Sequence, residues 1–347
     1  MKLDYKKIGS FLFIVLSIAA VFFIAFGNGE LEKSIDAMQD MDLRWVAGIF
    51  LCWAVYTFFD GMNYWAYLRH EGFRISLGRA VNVALIGFYY SNITPSAAGG
   101  QPMQVNSMRK AGIPVGYGTM AVTIRFITNQ FMISFLSLLL FFLNRSFVYE
   151  QLGGAMWFVR FGWLINLGSV PLVLLAAFKR SWIQSLADRI IRLLEKIRVI
   201  KNRDMAMAKV TDTLDTYHTA LHDLLKNPLQ ILLQFFLSFV SLLGLTLTVC
   251  FVYKAFGLSG TPWYHLLTIS CLLYISASAT PLPGASGAQE GGFLLYYRNI
   301  FPEDIIGLAL LVWRFFTFYL FLIVGVFTVI LEKMIVKRES AKKQNHE

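Results

Sequence analysis

Two arginines stand where an apolar chain tolerates them least. Arg125 lies 10 residues into the apolar run 115–143, and Arg314 nine residues into the run 305–331. At a 1.5 Å rise per residue, each would sit roughly 13–15 Å deep in a helix. That is near the centre of a hydrocarbon layer about 30 Å thick, where an arginine is costly unless paired or hydrated. The planar guanidinium fork suits phosphate oxygens; loop carbonyls or an acid would satisfy it equally well in a structural role. Two acids are available for either purpose. Glu290 falls in the glycine-rich stretch Gly287-Ala288-Gln289-Glu290-Gly291-Gly292, and Asp60 in the run 45–68, nine residues before Arg69. Each can face a cationic group, take up a proton, or hold a membrane arginine.

These residues need helices to carry them. Of the 347 residues, 56% are hydrophobic and only 15% charged, too few to cover the surface of a soluble domain, where about a quarter are charged. Six runs, at 8–26, 45–68, 115–143, 161–178, 229–256 and 305–331, approach the length of about 20 residues that crosses a bilayer. The first resembles a signal peptide in its charges, but its length and the lack of a small-x-small site favour an uncleaved span.

Two further apolar runs break. The run 80–93 stops at Thr94-Pro95-Ser96-Ala97-Ala98-Gly99-Gly100-Gln101-Pro102, and the run 263–279 at Thr280-Pro281-Leu282-Pro283-Gly284-Ala285-Ser286-Gly287. Proline removes a backbone donor and glycine loosens the helix, so neither break continues one.

Loop charges set the sidedness. The start is basic (Lys2, Lys6 and Lys7 against Asp4), and the loop from Glu30 to Arg44 is acidic. Arg69, Arg74 and Arg79 outweigh Glu71, and Arg109-Lys110 follows the first break. The first broken segment therefore enters and leaves from the cytoplasmic side. The basic stretch 179–227 and the C-terminal lysines lie on the same side, and parity makes the second broken segment enter and leave from outside. Thr94-Pro95 is followed by Arg125-Phe126-Ile127-Thr128, and Thr280-Pro281 by Arg314-Phe315-Phe316-Thr317. The two units read as an inverted repeat, the arrangement that marks a substrate site in many transporters, with the breaks lining a cavity that satisfies their backbone. The Gly287-x-x-x-Gly291 spacing also fits a helix contact.

Cys52, Cys250 and Cys271 lie in apolar runs without ligand spacing, so neither a disulfide nor a metal site is expected. No nucleotide loop or nucleophile elbow is present; no cofactor, no catalytic residue and no nucleic-acid partner are expected. In the stretch 179–227, Ile183, Leu186, Ile190, Leu193 and Ile197 form one helical stripe, and Val210, Leu214, Tyr217, Leu221 and Leu224 another. The first suits either a lipid surface or a helical hairpin packed on itself.

The set Asn92-x-Thr94-Pro95-x-x-x-Gly99-Gly100-Gln101-Pro102, then Arg125, then Pro281-x-Pro283-Gly284-x-x-Gly287-x-x-Glu290 resembles the lysylphosphatidylglycerol synthase transmembrane region, the flippase-like part of bacterial aminoacyl-phospholipid synthases. The resemblance spans most of the chain. It implies outward movement of a phospholipid with a modified head group, such as lysyl-phosphatidylglycerol, which lowers surface negative charge and protects against cationic antimicrobial peptides. It also implies an alternative, phosphatidylglycerol lysyltransferase activity or an accessory role to it. Nothing in these 347 residues is suited to hold a charged tRNA, so an enzymatic role is not expected.

The expected protein is thus all-α and polytopic, with about six full spans and two re-entrant broken-helix hairpins. It forms one domain over 1–347, with repeat units at 80–143 and 263–331 and a cytosolic amphipathic segment at 179–227. It sits in the cytoplasmic membrane with both termini inside. Its partners are anionic or aminoacylated phospholipids and a separate lipid-modifying enzyme. The substrate contacts expected are Arg125, Arg314, Glu290, Asp60, Thr94, Pro95, Gly99, Gly100, Gln101, Thr280, Pro281, Gly284, Gly287 and Gln289.

Overall fold

Long apolar runs with few breakers become helices, and local side chains fix where they begin. The Asp42 carboxylate accepts from the Arg44 amide at 2.9 Å and the Ser76 hydroxyl from that of Arg79 at 3.3 Å. Asn227 accepts from the Gln230 amide at 3.1 Å, just before Pro228 at a first helical position. Such caps satisfy amides that no preceding turn can reach.

The computed structural model describes residues 41–196, 203–278 and 280–344. The expected first span, 8–26, and the first-loop residues before 41 lie outside them, as do Ile197 and Ala279. Among the described residues every regular element is helical: α1 (Leu43–His70), α2 (Leu77–Ile93), α3 (Gly100–Lys110), α4 (Val115–Leu143), α5 (Arg145–Leu152), α6 (Met156–Phe178), α7 (Arg180–Lys196), α8 (Arg203–Leu225), α9 (Pro228–Ala255), α10 (Trp263–Ala277), α11 (Ala288–Tyr297), α12 (Glu303–Arg314) and α13 (Leu320–Gln344).

Among the described residues, five units are long and apolar enough to cross a membrane: Leu43–His70, Val115–Leu143, Arg145–Val173, Pro228–Ala255 and Glu303–Met334. The run expected at 161–178 crosses within a longer unit, because α5 and α6 meet through the tight turn Gly153–Ala155. The last unit joins α12 to α13 through a π-turn at Phe315–Tyr319, directly after Arg314.

The broken pairs α2/α3 and α10/α11 have 17 and 11, and 15 and 10, residues. At 1.5 Å per residue, these helices are roughly 15–25 Å long, short of a full crossing. Each pair folds back on itself. A Cβ at Gly100 would meet the Gly87 carbonyl at 2.8 Å, and one at Gly292 would meet Leu273 at 2.5 Å. Gly291 has open space instead, so the close approach falls one residue beyond the Gly287-x-x-x-Gly291 spacing.

Contacts at the two ends of the bundle fix the orientation of each hairpin. At one end His70 meets Asn227 at 3.3 Å, Lys110 meets Glu332 at 3.3 Å, and Gly116 abuts Thr216. At the other end the Asp42 amide donates to the Ala255 carbonyl at 3.0 Å, Asn144 to Thr268 at 3.0 Å, and Gln151 to the Tyr296 carbonyl at 2.9 Å. The α2/α3 hairpin thus opens at the first end and α10/α11 at the second. This is the inverted pair of re-entrant hairpins.

Outside the bundle, α8 buries Leu214, Tyr217, Leu221 and Leu224. Helix α7 packs along α8, turns Ile191 inward and leaves Trp182, Leu186, Ile190 and Leu193 exposed. At its polar side Asp188 holds Arg192 and, at 2.7 Å, Arg203. The hydrogen bond from Arg203 keeps the Asp188 carboxyl below the usual range.

Candidate substrate cavity

Each break begins where a proline forces the preceding residue into extended backbone. Thr94 has φ −119° and ψ 143° before Pro95, and Leu282 φ −76° and ψ 148° before Pro283. Two left-handed residues follow in each case, Ser96 and Ala97 at φ 51° and 55°, and Gly284 and Ala285 at 59° and 51°. For the non-glycine members this conformation costs about 1–2 kcal/mol each. The sequence reading aligned the breaks on Thr-Pro, Pro95 with Pro281; the backbone makes Pro283 the equivalent instead. In the corrected register both breaks read Pro-x-Ala-x-Gly-x-Gln, through Pro95, Ala97, Gly99 and Gln101 and through Pro283, Ala285, Gly287 and Gln289. The breaks touch: the Ser96 amide donates to the Pro281 carbonyl at 2.9 Å.

Both arginines are paired. Arg314 donates from Nε and Nη2 to Glu290 Oε1, each at 2.6 Å, and from Nη2 to the Gly284 carbonyl at 3.2 Å. Glu290 Oε2 accepts from the Gly287 amide at 2.6 Å. One carboxylate therefore anchors the arginine and caps α11, and both side chains are 3% exposed. Arg125 donates from Nε to Asp60 Oδ1 at 2.7 Å, with Nη2 also against that oxygen, and its side chain is 19% exposed. Aromatic faces support both guanidinia. Phe318, in the π-turn, has its ring centre 4.7 Å from the Arg314 carbon, and Phe88 lies 5.9 Å from that of Arg125.

Two cavities meet at the breaks. The larger, 510 Å³, is lined by Arg314, Gln289, Thr280, Gly284, Ser278, Thr317 and Asn92, with Tyr56, Tyr274, Phe318 and Phe321 as aromatic walls. The second, 310 Å³, is lined by Arg125, Gln101, Gln104, Asn129 and Gln130. Phe88, Ser91, Ser96 and Ala97 form part of both walls, so the first break is the septum between them. A buried amide chain also links the two: Gln130 donates to Asn166 at 2.6 Å, and Asn166 to Ser278 at 2.5 Å. Each cavity thus holds the arginine and the glutamine of one repeat. The larger is within the usual size range of small-molecule sites.

Of the residues singled out from the sequence, Arg125 and Gln101 line the second cavity, and Arg314, Gln289, Thr280 and Gly284 the first. The others form neither wall. Asp60 and Glu290 lie behind their arginines, 1% and 2% exposed. Thr94 is occupied within its own turn, donating to the Tyr90 carbonyl at 2.6 Å and accepting from the Gly99 amide at 2.9 Å. Gly99 makes room for Thr94, and Gly100 for Ser91. Pro95 shapes the turn, and Pro281 accepts the Ser96 hydrogen bond. Gly287, at φ +86°, borders a separate 230 Å³ pocket with Gly291 and Phe158. The sequence reading missed Tyr56, Ser91, Asn129, Tyr274 and Phe318. Helical spacing could have found three of them: Tyr56 lies four residues before Asp60, and Asn129 and Phe318 four residues after the arginines.

The comparison with known proteins bears on the same elements. The family described as the lysylphosphatidylglycerol synthase TM region matches residues 10–325, which include both hairpins, both arginines and all five spans except the last turns of α13. The chain belongs to this family. It is also similar to a UPF0104 membrane protein of Archaeoglobus fulgidus, 24% identical over 271 residues that cover 75% of this chain and 78% of that protein.

Proposed function

We propose that this family member is a lipid translocase of the cytoplasmic membrane. It passes the phosphate-bearing head group of a phospholipid across the septum from one cavity to the other while the acyl chains stay in the surrounding hydrocarbon. The observation that carries this reading is the meeting, at one septum, of two oppositely opening hairpins whose cavities each present a guanidinium. Buried guanidinia bind phosphate oxygens through charge-assisted, often bidentate hydrogen bonds, and inverted repeats with broken helices support alternating access around a central site. The π-turn after Arg314 fits a functional segment as well, since such distortions are frequent at sites. The family's name points to an aminoacylated or anionic phospholipid and to a separate enzyme that modifies it. The charge pattern of the loops supports cytoplasmic termini.

Reconstitution into liposomes carrying acyl-labelled fluorescent phospholipids tests the proposal. Wild-type protein is expected to expose inner-leaflet label to an impermeant quencher, and Arg125→Ala and Arg314→Ala, at matched protein levels, to slow that exposure at least tenfold. Equal rates in all three preparations, or in empty liposomes, would remove the support for translocation through these cavities.

A further inference from the structure

The translocation reading leaves open whether the head group is aminoacylated or simply anionic, and the cavity walls bear on that choice. Among the described residues, neither wall includes an aspartate or a glutamate. The two buried acids nearest the cavities stand behind the arginines and are engaged there. Glu290 uses Oε1 for Arg314 and Oε2 for the Gly287 amide. Asp60 uses Oδ1 for Arg125; its Oδ2 has no hydrogen-bond partner, but it is buried in a residue that reaches neither wall. Each ion pair is therefore oriented with its positive partner toward the cavity.

An ammonium group entering either cavity would meet a guanidinium, with no free carboxylate among the described wall residues to offset the repulsion. Aromatic faces can bind cations, but Phe318 and Phe88 already carry Arg314 and Arg125, Tyr56 and Phe321 pack on each other and on Phe88, and Tyr274 packs on Trp313.

The neutral groups on the walls favour hydroxyls. Gln289 lines the larger cavity and is 7% exposed, and its buried Oε1 has no hydrogen-bond partner. A buried acceptor left unsatisfied is costly, and a ligand hydroxyl supplies the donor it lacks without bringing positive charge. Gln101, at the equivalent position of the other break, lines the second cavity. A head group crossing the septum would meet the same pair of groups, one guanidinium and one amide, on either side.

We infer that the head group accepted by these cavities carries no positive charge. It is a phosphodiester bearing free hydroxyls, such as a glycerol or a cyclic polyol, and not an aminoacylated or amine-bearing head group. This inference rests on the translocation reading and narrows it.

The test reconstitutes the full-length protein with acyl-labelled phosphatidylglycerol, phosphatidylinositol, lysyl-phosphatidylglycerol or phosphatidylethanolamine in otherwise identical neutral liposomes. The two hydroxylated lipids are expected to move at least tenfold faster than the two amine-bearing ones. Gln289→Leu should reduce that ratio by slowing the hydroxylated pair alone. Lysyl-phosphatidylglycerol moving as fast as phosphatidylglycerol, or faster, overturns the inference while leaving translocation intact. If none of the four moves, translocation fails, and short-chain versions of the same lipids decide the head-group assignment by thermal stabilisation of the detergent-purified protein. Stronger stabilisation by the hydroxylated pair supports it, and equal or stronger stabilisation by the amine-bearing pair overturns it.

Discussion

Removing Glu290, Arg314 or both gives the sharpest test of the buried pair. Both side chains are 3% exposed, and both nitrogens of the guanidinium edge lie 2.6 Å from one carboxylate oxygen. Two unit charges about 4 Å apart attract by about 4 kcal/mol at an effective dielectric of 20. Taking away one partner strands the other charge in a water-poor interior, which costs roughly 3–5 kcal/mol. Glu290→Gln and Arg314→Met should each destabilise the protein by about that much, a fall in melting temperature of roughly 6–10 °C at about 2 °C per kcal/mol. The double variant strands no charge and should recover most of the loss. The expected coupling is about 2 kcal/mol or more, well outside the additivity seen for independent sites. Thermal unfolding in detergent, followed by the monodisperse fraction on size exclusion, measures all four proteins. Transport should stay lost in the double variant, because the guanidinium is gone although stability has returned. Losses that simply add would show that the pair is not one electrostatic unit, and a double variant with normal transport would refute any role for Arg314 in handling the lipid.

Other outcomes follow from the same geometry. Gly284→Ala puts a Cβ into the Phe318 ring at φ +59°; it should disturb the support of Arg314 and cost about 1–2 kcal/mol or more, whereas Gly168→Ala, with nothing within 4 Å, should melt like wild type. Gly162→Ala brings a Cβ to 2.7 Å from the Ile275 carbonyl carbon; this backbone contact cannot move aside cheaply, so a comparable loss by thermal unfolding is expected. Asn166→Leu removes the link between Gln130 and Ser278 and leaves partly buried polar groups unpaired, at about 1–3 kcal/mol, again read as a lower melting temperature. Ala111→Cys and Ser259→Cys, in a background where Cys52, Cys250 and Cys271 are all buried, should react with an impermeant maleimide from opposite faces of the membrane; labelling of both from one face would contradict the inverted hairpins.

Much of this architecture could be read along the chain. Hydropathy marked the spans because crossing a bilayer is a one-dimensional demand of about 20 apolar residues. The prolines and glycines marked the breaks because their backbone limits act at the residue itself. The placing of Arg125 and Arg314 well inside long apolar helical units followed from counting residues. The apolar stripe of α8 followed from its spacing, which tertiary packing turned against α4. The register of the repeat was also present in the sequence, as Pro-x-Ala-x-Gly-x-Gln, but the more conspicuous Thr-Pro pairs drew the alignment two residues away. The left-handed pairs after Pro95 and Pro283 decide between the two registers.

What the sequence by itself determined, then, was an all-helical membrane chain with two oppositely oriented interruptions and a costly arginine deep in a span after each. The tertiary structure decided which acid answers which arginine and which member of each pair faces the cavity. Asp60 and Arg125 are 65 residues apart and Glu290 and Arg314 are 24, and no spacing rule relates them. The reason is geometric: composition and period fix how deep a side chain sits. Its direction depends on how each helix is rotated about its axis, and that is set only when glycines such as Gly100 and Gly244 let neighbouring backbones close together.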